Sequence, residues 1–309
     1  MTVRATTDNP LHDPNAAWEG EAVAVDDETE DETLTRLQGE GGPPHPVEPV
    51  TLLAYGDLPD QVVEIHEPPT DAASDGAASD GAASEGAAPD GAAHTAARTL
   101  VVVHGGYFRP GVDRTHARPM ARALAAAGWR VALAEYRRVP GDPEATTADL
   151  TALDSRLRAD GHDVAVWIGH SAGGTLVLWR ALTPTLPLVP VVALAPVADL
   201  DAAVDDRLGT DAVRDWIGAT PAQAPELYAR LDPLRLRDAM PPQRTNDVAA
   251  QGITIVHGDA DVTVPLRQSA GWERSVLPGA DHFDVVDPRS PHWPSVLAAI
   301  TRRAAPRRP

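Results

Sequence analysis

The sequence predicts an α/β fold, a mostly parallel central sheet with helices on both faces. Three observations predict it. Short apolar runs rich in β-formers alternate with helix-patterned segments from about residue 51 onward, and that alternation builds a parallel sheet covered on both sides. One run, Val164-Ala165-Val166-Trp167-Ile168, leads through Gly169-His170-Ser171-Ala172-Gly173-Gly174 into an apolar stretch over 175–182 that can continue as a helix. The residues best suited to chemistry each fall just past a predicted strand, the end where reactive groups collect in such sheets.

Residues 1–49 are polar and acidic and include the block Asp26-Asp27-Glu28-Thr29-Glu30-Asp31-Glu32. Like charges at this density are solvated and loosely ordered. The segment is expected to be disordered, with room for a short helix over 33–38. The folded domain is expected over 50–303. Alternation over 61–66 predicts its first strand. Residues 70–98 hold a degenerate repeat, Ser74-Asp75-Gly76-Ala77-Ala78 and its successors, without a large apolar residue. It reads as a low-complexity loop insertion, which a fold can carry because closure entropy grows by only about 0.6 kcal/mol per doubling of length.

A buried-type strand follows over 98–103, then a helix over 118–127 stopped by Gly128 and a strand over 129–134. Residues 143–159 place Leu150, Leu153 and Leu157 on one helical face, with Gly161 as the stop. Residues 189–196 predict the next strand. The proline-rich stretch 199–251, with helical pieces over 211–217 and 225–231 and with Trp216, reads as a cap-like excursion over the sheet. Strands over 252–257 and 275–278 and a helix over 294–303 close the domain. Residues 304–309 form a basic tail expected to be solvated.

The chain has 309 residues, a formal net charge of −19 and no cysteine, and its basic residues are all arginine. Without cysteine there are no disulfides, thiolate metal sites or cysteine nucleophile. So negative a chain is a poor nucleic-acid binder. The first residues lack the apolar core of a signal peptide, and no apolar run is long enough to span a bilayer. The expectation is a cytoplasmic protein acting on a small molecule, with no nucleic-acid or membrane partner; oligomeric state has no signature in the sequence.

A chance G-x-S-x-G turns up in roughly one such chain in twenty, so the motif needs its context. Strand, G-x-S-x-G and helix together form the setting of a nucleophile elbow, a sharp turn that lifts the serine hydroxyl. Serine needs a base, and the base an orienting acid. Asp261 follows one predicted strand and His282 the next. Ser171 is therefore the expected nucleophile, His282 the general base and then acid, and Asp261 the carboxylate that fixes the imidazole tautomer. Asp259 is the alternative acid and His292 the alternative base. His170 adjoins the serine and cannot face it from a sharp turn. A metal site from His104, His257 and an aspartate has no supporting helical spacing. No cofactor or metal is expected. The Ala172 N–H, just past the nucleophile, would donate to a developing oxyanion, with further donors from the loop His104-Gly105-Gly106-Tyr107.

These residues carry a resemblance. Tyr55-Gly56 with Asp60-Gln61, His104-Gly105-Gly106-Tyr107-Phe108, Tyr136-Arg137-Arg138, the elbow, Asp261 with Val264-Pro265, and His282-Phe283-Asp284 resemble the α/β-hydrolase superfamily, in its esterase and kynurenine formamidase-like branch. The resemblance implies an α/β-hydrolase fold with a small helical cap. It implies oxyanion N–H groups from Gly106 and Tyr107 beside that of Ala172, Tyr107 standing where many relatives have a third glycine. Phe108 and Trp216 would line an aromatic acyl pocket. The implied activity is a metal-independent serine hydrolase of carboxylesterase or arylformamidase type, cleaving a small carboxylic ester or aryl formamide through an acyl-enzyme. The alternative is a catalytically inactive or receptor-like hydrolase fold that binds a small apolar ligand.

Overall fold

The computed structural model describes residues 29–41, 50–69 and 98–305. The expectations for 1–28, 42–49, 70–97 and 306–309, of disorder, a loop insertion and a solvated tail, lie outside the described residues. After α1 (Glu30–Glu40) the chain forms β1 (Val50–Ala54), β2 (Val62–His66) and β3 (Thr99–Val103), then α2 (Arg118–Ala126), β4 (Arg130–Ala134) and α3 (Pro143–Ala159). β5 (Val164–His170), α4 (Ala172–Leu182) and β6 (Val191–Leu194) follow. The excursion holds α5 (Leu200–Asp205), α6 (Leu208–Ile217), α7 (Pro225–Leu231), α8 (Pro233–Asp238) and α9 (Pro242–Gln251). β7 (Ile253–Gly258), β8 (Arg274–Leu277) and α10 (Trp293–Ala304) complete the fold.

The strands make one sheet in the order β1-β2-β4-β3-β5-β6-β7-β8. β1 and β2 are antiparallel at one edge, and every pair from β4 to β8 is parallel. Side-chain alternation sends successive residues to opposite faces. Val101, Val103 and Trp167 join one core with Leu150 and Leu153 of α3, Leu176 of α4, and Trp216 and Tyr228 of the excursion. Leu100, Val102, Val166 and Ile168 join the other with Leu37 of α1, Met120 and Leu124 of α2, and Val296 and Ile300 of α10. The excursion thus contributes to the core on the α3–α4 face. Among the described residues no helix is long and apolar enough to cross a membrane.

Residues 29–41 depart from the disorder expected of 1–49. They form a capped helix. The Thr29 N–H donates to Glu32 Oε2 at 2.9 Å, and the Glu32 N–H donates back to the Thr29 hydroxyl, a reciprocal cap that satisfies two otherwise orphaned donors. The acidic block therefore favours the positive end of a helix dipole. Leu37 is fully buried in the second core, Arg36 pairs with Asp287 at 2.6 Å, and Arg118 donates to the Gly41 carbonyl at 2.6 Å.

Leu37→Ala should therefore cost about 2–5 kcal/mol in urea unfolding, the range for truncating a buried leucine. A change within about 0.5 kcal/mol, the size of a surface effect, would mean that α1 does not dock in solution.

Candidate active site

Ser171 sits between β5 and α4 with φ 54° and ψ −119°, a strained conformation for a residue with a Cβ. The glycines around it are required by close approach. A Cβ at Gly169 would lie 2.1 Å from the Gly173 carbonyl oxygen, and one at Gly173 would lie 2.1 Å from that of Val103. The turn is anchored by the Ser171 N–H, which donates to the Leu194 carbonyl at 2.9 Å.

Asp261 and His282 come together at the same end of the sheet. His282 Nδ1 lies 2.8 Å from Asp261 Oδ2, and both residues are buried. Asp261 Oδ1 accepts the Val264 N–H at 2.7 Å, and His257 Nε2 approaches Oδ2 at 3.3 Å. Burial pushes the Asp261 pKa up, but the His257 and His282 hydrogen bonds outweigh it and hold the carboxyl well below the usual range. An ionised Asp261 fixes a proton on Nδ1 and leaves Nε2 as the basic nitrogen. Among the described residues no hydrogen bond joins His282 Nε2 to the Ser171 hydroxyl, and neither atom has another partner. Catalytic hydrogen bonds are commonly loose before substrate binds.

The sequence alternatives are placed elsewhere. Asp259 accepts the Gly279 N–H at 2.7 Å and shapes a turn. His292 caps α10. His104 and His257 belong to separate clusters, His257 spanning Ser269 and the Val264 carbonyl. His170 has a part that sequence reasoning missed. Its Nε2–H donates to the His282 carbonyl at 2.9 Å, and its ring packs on the His282 ring with centroids 4.6 Å apart. Burial and the neighbouring His282 ring keep its pKa well below the ordinary value, so it holds the loop as a neutral donor. Its place beside the serine in G-x-S was the available signal.

The loop His104–Phe108 runs against the elbow. A Cβ at Gly105 would lie 3.0 Å from Ser171 Cβ. Gly106, Tyr107 and Phe108 have φ of 122°, 56° and 54°. The N–H groups of Gly106, Tyr107 and Ala172 donate to no acceptor among the described residues, as a site for an incoming oxyanion requires. Phe108 and Trp216 differ from the expected open pocket wall. They stack on each other with centroids 4.2 Å apart and planes 10° apart, and are only 3% and 2% exposed. The Trp216 indole N–H donates to the Thr146 hydroxyl at 3.2 Å. Tyr107, half-buried against Gly209, is the aromatic residue beside the serine loop.

Behind the loop lies a buried ionic network centred on Glu135. His104 Nδ1–H donates to the Gly105 carbonyl at 2.6 Å, and its Nε2 faces Glu135 at 3.1 Å and Arg138 at 3.0 Å. Arg138 and Arg114 both pair with Glu135. The Tyr136 hydroxyl donates to the His104 carbonyl at 2.8 Å. Burial pushes the Glu135 pKa up, but His104 and then Arg138 outweigh it and hold the carboxyl far below its ordinary 4.5.

The profile of the alpha/beta hydrolase family matches residues 100–300. LipR of Mycobacterium tuberculosis, named as a candidate acetyl-hydrolase, is 28% identical over 193 residues. That match covers 60% of this chain and spans 58% of the length of the relative. Among solved structures, a candidate thioesterase from Silicibacter sp. TM1040 superposes with a TM-score of 0.59 at 20% identity, over 91% of this chain and 97% of the other. Esterase B from Lactobacillus rhamnosis, inhibited by a tributyrin phosphonate, gives 0.57 at 17% identity over 90% and 97%. The thermophilic esterase Est2 from Thermogutta terrifontis, with propionate bound, gives 0.53 at 19% identity over 83% and 94%. At these identities the likeness to the solved structures is one of fold.

Glu135 yields a pH prediction. Its folded pKa lies below the unfolded value, so its stabilisation is complete above about pH 4.5 and is lost as pH falls through the folded value. Glu135→Gln should cost about 3–5 kcal/mol near neutrality, as removal of one partner from a buried pair does. Urea unfolding at a series of pH values should show the gap between parent and variant narrowing below pH ~4.5. A gap that stays constant or widens on acidification would contradict the pairing.

Proposed function

The chain belongs to the alpha/beta hydrolase family, and we propose that it is a metal-independent serine hydrolase cleaving a small carboxylic ester through an acyl-enzyme. The Asp261–His282 hydrogen bond of 2.8 Å, made by a carboxylate held ionised, carries this reading. It gives His282 a defined tautomer, with Nε2 ready to take a proton from Ser171 Oγ. Oγ then attacks the acyl carbon. The negative charge on the former carbonyl oxygen is met by the N–H groups of Gly106, Tyr107 and Ala172; one such donor is typically worth about 2.7–4 kcal/mol in the transition state. His282 passes its proton to the leaving oxygen, and the alcohol departs. Water, deprotonated by the same nitrogen, releases the acid and restores the hydroxyl.

The acyl side of the site is proposed to be small. The stacking and burial of Phe108 and Trp216, expected to line the acyl pocket, support this reading, as does Tyr107, which by the resemblance stands where many relatives have glycine. The names of the relatives, acetyl-hydrolase, esterase and thioesterase, support thio- or oxygen-ester cleavage of short acyl groups ahead of the formamide. Cleavage of an aryl formamide would use the same steps, with an amine as the leaving group.

A fluorophosphonate probe should label the parent protein, and p-nitrophenyl acetate should be turned over faster than N-formylkynurenine. Ser171→Ala should abolish labelling and lower kcat about a million-fold, and Asp261→Asn should lower it about ten-thousand-fold by favouring the wrong tautomer. A parent that neither labels nor turns over substrate would favour an inactive hydrolase fold that only binds its ligand, and an undiminished Ser171→Ala would remove Ser171 as the nucleophile.

A further inference from the structure

The first residue of α1 reaches into the loops that carry the proposed catalytic groups. Glu30 Oε1 accepts the backbone N–H of Val262 at 3.3 Å and that of His282 at 3.2 Å. Glu30 Oε2 accepts the Thr263 hydroxyl. One carboxylate therefore ties the loop of Asp261 to the loop of His282. We infer that Glu30 is a positioning residue of this site, a clip that sets His282 against Asp261 and Ser171. The inference rests on the serine-hydrolase reading above.

His282 has four polar atoms. Its carbonyl accepts from His170, its Nδ1 donates to Asp261, and its N–H donates to Glu30. Only Nε2 remains, the atom that must meet Ser171. Without Glu30, the backbone N–H loses its partner and the residue can rotate about its two remaining anchors. On the Asp261 side, Val262 is 80% exposed, so little packing holds that tip in place. Thr263 and the two backbone N–H groups are neutral donors, so the contact works by hydrogen-bond geometry. Among the described residues no cation pairs with Glu30.

Glu30 can do this because the rest of α1 is fixed far from the site. The helix is held by buried Leu37, by Arg36 on Asp287, and by Arg118 and Arg122 on the carbonyls of Gly41 and Glu40. The cap uses Thr29 and Glu32, which leaves Glu30 to face the two loops. A carboxylate at the first helical position is also favoured by the helix dipole. A displacement of about 1 Å in a reacting group can cost on the order of a hundred-fold in rate, so a clip of this kind should appear in kcat.

The test uses the full chain with Glu30→Ala and Glu30→Gln. It reads kcat and KM on p-nitrophenyl acetate, fluorophosphonate labelling, and amide hydrogen exchange at residues 262–264 and 281–284. Glu30→Ala should lower kcat about 10–100-fold with KM within about threefold, and should speed exchange of the Val262 and His282 amides. Glu30→Gln keeps an acceptor for both N–H groups and offers its amide N–H to the Thr263 oxygen, so kcat should stay within about threefold of the parent. If Glu30→Ala does not fold, Thr263→Val removes one of the three bonds with α1 still docked, and should lower kcat several-fold. The inference is overturned if Glu30→Ala keeps kcat within twofold, if Glu30→Gln is as impaired as Glu30→Ala, if a labelled parent shows unchanged exchange on removing the side chain, or if Thr263→Val, used in its place, leaves kcat unchanged. A parent that resists the probe defeats the serine-hydrolase reading and with it the positioning role, and unchanged exchange in that case removes the clip as well.

Discussion

A buried carboxylate cannot stay charged unless its oxygens are paired, and Asp261 is where this constraint shapes the protein. Desolvating an isolated carboxylate costs several kcal/mol, recovered only through well-placed donors. Asp261 finds them in the Val264 N–H, in His282 and in His257. Those partners come from β7 itself, from the loop after it and from the loop after β8, so one charge ties together the ends of two neighbouring strands. The histidine that results is oriented at three polar atoms before any substrate arrives.

The elbow is a second constraint, and it is steric. Gly169 and Gly173 lie so close to neighbouring backbone that any side chain would collide. Ser171 bears the positive φ between them. Strain of this kind costs of order 1–3 kcal/mol and persists only where surrounding structure over-determines it. Here the surroundings are β3 and β6, whose ends press on the turn from either side. The Glu135 network braces the neighbouring loop in the same sense, fixing His104 at its side chain and its carbonyl.

The parts legible in the sequence were those with a strong local signature. The helix expected over 143–159 has those bounds in the structure, because Asp142 caps it, Pro143 opens it and three leucines share its buried face. The elbow and the Ser, Asp, His order were legible because each residue follows an apolar strand. β1 was not, because as an edge strand it alternates only weakly between half-buried and exposed. α1 was legible only as room for a short helix over 33–38, because a run of acids reads as repulsion until the Thr29–Glu32 cap and the distant Leu37 contact are known. Phe108 and Trp216 were expected to line a pocket, but sequence does not say whether a ring faces a ligand or another ring. Tyr55, Gln61 and Arg137, which helped to carry the resemblance, bind Glu135 or Asp149 and brace the scaffold.

The central claim is that Ser171, His282 and three backbone N–H groups converge on one reacting carbon. The most direct measurement is a crystal structure of the protein after reaction with a small alkyl phosphonate. The account predicts phosphorus bonded to Ser171 Oγ, with the phosphoryl oxygen about 2.7–3.1 Å from at least two of the Gly106, Tyr107 and Ala172 nitrogens and His282 Nε2 facing the leaving-group side. Phosphorus on another side chain, or a phosphoryl oxygen turned away from those nitrogens, would contradict it.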